Sequence, residues 1–190
     1  MTTPSCMRDQ SHCSVWQIAI ASIRRTTTMT LPDGHPQWFL WAPLAAALAH
    51  ICEEFVWPGG FMNWYRRYRG PSVRSITPRF LVIVNVILLV VCVDAALVTG
   101  TPFGVAYWIA VSAILASNGV WHLWAAIRGR MYSPGMVTGL VFYVPLVIYG
   151  SVHFLKSSSV SIASAVVALL IGGSYPLWSA MFHGRGGSVV

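Results

Sequence analysis

Long apolar stretches alternate with short polar connections along most of this chain. Five stretches carry almost no charge: residues 36–57, 79–98, 102–127, 134–155 and 160–182. Each approaches the roughly 20 helical residues that cross ~30 Å of hydrocarbon. Gly or Pro stands near several of their ends (Pro58, Gly59, Gly60, Gly100, Gly129, Pro134), where helices stop and restart. The pattern predicts an all-α, polytopic membrane bundle of about five transmembrane helices over residues 36–183, with a short cytosolic tail at 184–190. No internal repeat, phosphate-binding glycine loop, dinucleotide fingerprint, nucleophile elbow or HExxH zinc motif interrupts it.

Composition agrees with a bilayer setting. Of 190 residues, 56% are hydrophobic and 9% charged, which is too apolar for an ordinary soluble domain of that size. The net charge of +7 has meaning only through its distribution. Arg66, Arg67, Arg69, Arg74 and Arg79 follow the first stretch, Arg128 and Arg130 follow the third, and Arg185 follows the fifth. The opposite connections carry only Lys156. The positive-inside rule therefore predicts a multi-pass plasma-membrane protein with its amino terminus outside and its carboxyl terminus in the cytosol. The expected partners are the lipid bilayer and a lipophilic small molecule, with no nucleic acid; the basic residues sit beside anionic headgroups. Residues 1–35 oppose this topology through Arg8, Arg24 and Arg25, and they lack the organisation of a signal peptide. They are expected to be a disordered or spurious extension, with Met29 as the true start. Cys52 and Cys92 lie within spans without CxxC spacing, so no disulfide framework is expected.

Against this background the only two glutamates, Glu53 and Glu54, stand together one helical turn after His50. Ionisable groups inside a membrane are costly, and that cost points to function. Once each span is given a direction, Asn118 and His122 fall at the same depth, four residues apart on one helical face. Tyr132 lies in the adjoining loop. Asn85 and Tyr175 are within reach, and Trp121 and Trp124 flank His122 as candidate walls of a lipophilic pocket. Asp94 and His153 belong to the opposite end. Because adjacent helical residues diverge by ~100°, at most one glutamate is expected to face the centre, leaving the other to flank it or brace a neighbouring helix. Pro134 is expected in the first turn of the fourth span.

The segment His50-Ile51-Cys52-Glu53-Glu54 reads HxxEE, His122 adds a histidine downstream, and Tyr132-Ser133-Pro134-Gly135 reads YxPG. Together these elements, over about residues 40–155, resemble the HXXEE family of bacterial integral membrane proteins. The resemblance supports the choice of site residues and implies no established activity beyond a loose association with stress-related roles.

Three chemistries fit the residues. The leading expectation is acid–base catalysis, an isomerisation or cyclisation of an isoprenoid- or sterol-like substrate. Glu53 or Glu54 would be the acid, His50 or His122 the base or its orienter, Tyr132 an auxiliary donor, and Asn118 a further polar contact. The second is a single divalent zinc or iron ion held by His50, Glu53, Glu54 and His122 in a hydrolase or oxidase. Two glutamates are too few for the four carboxylates of a di-iron bundle site. The third is a proton relay in a small transporter or stress-related membrane protein.

Overall fold

The structure is a computed structural model that describes residues 36–56, 59–70 and 77–178. The expectations for residues 1–35, for the 184–190 tail and for Arg74 and Arg185 lie outside those residues. The described residues are all-α, with helices α1 (Gln37–Leu40), α2 (Ala42–Val56), α3 (Gly60–Arg69), α4 (Pro78–Val98), α5 (Pro102–Gly129), α6 (Met136–Lys156) and α7 (Ile162–Gly173). Three of them, α4, α5 and α6, are long and apolar enough to cross a membrane.

The first and fifth stretches are shorter helices than the sequence pattern predicts. Pro43 has no N–H for the Phe39 carbonyl, so the helix turns at Trp41 and restarts as α2. The 15 residues of α2 rise about 22 Å, less than a full crossing. α7 is an apolar helix of 12 residues.

Local chemistry sets the other ends. Thr77 and Thr101 accept from Phe80 N (3.1 Å) and Gly104 N (2.9 Å), each followed by a proline at the first helical position. The fourth span departs from expectation: Pro134 and Gly135 form a turn, Gly135 has φ +93°, and α6 begins only at Met136. Pro145 supplies no N–H for the Val141 carbonyl, and α6 widens into a π turn over Gly139–Tyr143 just before it.

The connection after α2 is also more ordered than a loop. Phe61, Trp64, Tyr65 and Tyr68 fall on one face of α3, and Arg66, Arg67 and Arg69 lie off it. That aromatic face packs against Trp121 and Ala125 of α5.

α5 is the central helix. Over its apolar window 56% of positions are buried, against 22% in α4 and 28% in α6, whose exposed Val and Ile side chains leave an apolar outer surface. It packs closely against both α6 and α7. A Cβ on Gly119 would meet the Gly139 backbone at 2.9 Å, so two glycines let the backbones touch, as small residues do between membrane helices. This crossing lies one turn from His122 and beside Thr138, and it brings the two helices together at the site.

Candidate functional site

Positions 50 and 54 share one face of α2, so His50 and Glu54 both turn into the bundle while Glu53 turns aside. From α5, His122 reaches the same carboxylate. Glu54 Oε1 lies 3.5 Å from His50 Nε2 and 3.3 Å from His122 Nε2. All three residues are almost fully buried, at 2%, 5% and 1% exposure for His50, Glu54 and His122. Their donor atoms lie within 4.8 Å of one another, the arrangement of a metal-binding group.

The far nitrogen of each imidazole is held by a hydroxyl. Thr138 Oγ1 lies 2.5 Å from Glu53 Oε2 and 3.1 Å from His50 Nδ1. A carboxylate only accepts, so the single Thr138 proton goes to Glu53. Thr138 then accepts from His50, which fixes the proton on Nδ1 and leaves the Nε2 lone pair facing inward. Asn118 donates to that lone pair through Nδ2 at 3.1 Å. A half-turn of its amide places Oδ1 there instead, an oxygen beside the three ligand atoms of the trio. On the other side, Ser133 Oγ stands 2.9 Å from His122 Nδ1.

Glu53 is a clamp. One oxygen accepts from the Tyr132 hydroxyl, from Gly135 N at 2.9 Å and from Val137 N at 3.3 Å; the other accepts from Thr138 N at 2.8 Å and from its hydroxyl. The backbone donors belong to the turn before α6 and its first residues, where N–H groups have no helical partner. Partial burial and the neighbouring Glu53 carboxylate push the Tyr132 phenol above its ordinary range, so it remains a donor. Gly135 must be glycine on two counts: its φ of +93°, and a Cβ that would stand 2.6 Å from His50 Cε1.

A family model for a protein of unknown function with HXXEE motif matches residues 41–150. The chain belongs to the HXXEE family. No curated protein and no solved structure matches it.

The letters of the HXXEE motif therefore divide their work: His50 and Glu54 form the buried trio with His122, and Glu53 bolts α2 to the YxPG turn. Trp121 packs edge-on to His122 at 5.0 Å, with Phe61 at 5.7 Å and Trp64 at 6.3 Å closing the α3 side. Trp124 does not line the trio; it is 49% exposed, beneath the Arg128 guanidinium. Tyr175 meets Trp178 edge-on at 4.9 Å. Asn85 has a buried amide nitrogen without a hydrogen bond and makes no recorded contact with the trio. His153 stacks on Tyr149 and meets Phe39 edge-on at the other end of the bundle.

Three participants escape a reading of the sequence. Thr138 and Ser133 are common residue types with no spacing signal, although Ser133 lies inside YxPG. Tyr143, in the π turn, packs at a tilt against His50 at 4.8 Å, and its buried hydroxyl has no hydrogen-bond partner.

Proposed function

We propose that this HXXEE protein is a membrane-embedded enzyme of hydrolytic type, built around one divalent ion held by His50 Nε2, His122 Nε2 and Glu54 Oε1. The carrying observation is the pair of edge lengths, 3.5 and 3.3 Å. A charge-assisted hydrogen bond between imidazolium and carboxylate closes to about 2.7–2.9 Å. Ligand atoms on a tetrahedral zinc, with bonds of about 2.0–2.1 Å, stand ~3.3–3.4 Å apart. The third edge, between the two Nε2 atoms, lies within 4.8 Å, and two imidazole nitrogens with one carboxylate oxygen are a donor set that suits zinc.

The surrounding residues fit that assignment. The chain His50 Nδ1–H, Thr138 hydroxyl, Glu53 carboxylate is the outer support that ligating histidines use to fix their tautomer. Ser133 serves His122 in the same way. A zinc ion on three protein ligands supplies Lewis-acid activation of water or of a substrate oxygen. The chain's own contribution is to hold both imidazoles with Nε2 inward, to set the Glu54 carboxylate beside them, and to exclude bulk water with Phe61, Trp64, Trp121 and Tyr143. With the basic connections facing the cytosol, the site lies at the cytosolic end of the bundle and takes a lipophilic substrate from the bilayer.

Metal analysis of the detergent-purified chain tests this reading. About one zinc per chain is expected in wild type, with loss in Glu54→Gln and His122→Asn variants that remain folded by circular dichroism. A folded wild type that neither carries nor takes up zinc would remove it. That outcome would favour the second reading, metal-free acid–base catalysis on an isoprenoid- or sterol-like molecule, which the near-complete burial and aromatic walls of the trio support.

A further inference from the structure

At the same end of the bundle, α3 and the last turn of α5 enclose a cleft of about 570 Å³ that does not include the buried trio. Arg67, Arg69 and Arg128 line it together with Tyr68, Trp124 and Gly129. The guanidinium of Arg128 lies 5.5 Å above the Trp124 ring and that of Arg69 lies 5.8 Å above Tyr68, so aromatic faces hold two of the three charges in place. Gly129 lets the helices close on each other here, because a Cβ would come to 3.0 Å from the Tyr68 ring and press on it.

No carboxylate among the described residues lines the cleft. Among the described residues the acids are Glu53, Glu54 and Asp94. The first two are held inside the site, and Asp94 lies at the far end of α4. Three arginines therefore converge without a counter-charge among the described residues. The carbonyl end of α5 contributes the wrong sign for an anion, so the guanidiniums must carry any binding.

The cleft also continues into the apolar surface. Val120, Trp124 and Ile127 are spaced four and three apart on α5 and are exposed at 52%, 49% and 69%. They form a strip that leads from the arginines toward the middle of the helix.

We propose that this cleft binds the phosphate group of an anionic amphiphile, with the acyl or prenyl chain lying along the Val120–Trp124–Ile127 strip. Forked guanidinium donors match phosphate oxygens, and the interfacial position of α3 suits a headgroup. The strip selects a lipid-borne phosphate over a free one. This proposal does not depend on the metal.

Native mass spectrometry of the full chain released from detergent tests it with three probes: phosphatidylglycerol, phosphatidylcholine and inorganic phosphate. Wild type is expected to retain one phosphatidylglycerol in preference to phosphatidylcholine. Retention should fall about five-fold for each of Arg67→Gln and Arg128→Gln, the effect of one basic residue near an anionic headgroup. Arg79→Gln, at the same end of the bundle but outside the cleft, should retain the lipid like wild type. Equal losses in Arg79→Gln and Arg128→Gln would overturn the proposal in favour of diffuse attraction. Binding of inorganic phosphate with no lipid preference would overturn the amphiphile as occupant, and so would retention that ignores all three substitutions.

Discussion

Replacing Glu53 by Gln tests the division of labour within the motif. The carboxylate accepts from three donors on one oxygen and two on the other, and Gln presents one oxygen and one NH2 group. If the oxygen keeps Tyr132, Gly135 and Val137, the NH2 faces the Thr138 N–H at 2.8 Å, and that donor loses its partner. A hydrogen bond to a charged acceptor contributes about 1.5–3 kcal/mol, and a neutral acceptor contributes roughly half as much. One lost bond and four that keep roughly half their strength, the Thr138 hydroxyl having turned to accept from the NH2, sum to about 4–9 kcal/mol, reduced to about 2–4 because Glu53 is only half-buried and water replaces more than half of the loss. For a chain of this size that is a fall in melting temperature of roughly 5–15 °C. Tryptophan fluorescence during thermal unfolding in detergent measures it. The same variant should bind zinc about 10–100-fold more weakly, since Thr138 loses the acceptor that makes it accept from His50. A wild-type melting temperature would refute the clamp, whatever the metal content.

Two further substitutions probe the site from other sides. Gly135→Ala forces a side chain into a left-handed backbone and against His50 Cε1 at 2.6 Å, so it should cost about 2–4 kcal/mol and weaken zinc uptake. Thermal melts and metal analysis of the variant check both, and a stable variant with full zinc would show that the turn has room to move. Tyr143→Phe removes a buried hydroxyl that has no partner, so stability should hold or rise by up to about 1 kcal/mol. A melting temperature lowered by more than about 5 °C would show that the hydroxyl is bonded.

Much of the architecture is legible in the residues themselves. Apolar length marks the spans because a buried backbone must bond within its own helix, and α4, α5 and α6 follow that rule. The pair at Glu53 and Glu54 stands out because charge is costly in such a setting, and the spacing of His50 to Glu54 and of Asn118 to His122 places each pair on one helical face. What the period of the helix could not give is its interruptions. Pro43 shortens the first span, Pro134 belongs to a turn, and a π turn precedes Pro145. Each depends on how freed backbone groups are bonded.

Sequence alone determined which side chains are too costly to be accidental and which of them share a depth. Tertiary structure decided which glutamate does what. Adjacent positions on a helix diverge, but only the packing of α5 and α6 through Gly119 and Gly139 settles that Glu54 meets His122 while Glu53 meets the backbone donors at the start of α6. It also supplied Thr138 and Ser133, whose hydroxyls orient the imidazoles, and it gathered Arg67, Arg69 and Arg128 from two helices into one cleft. Those are contacts between residues far apart in the chain, and the local rules that shape a helix carry no record of them.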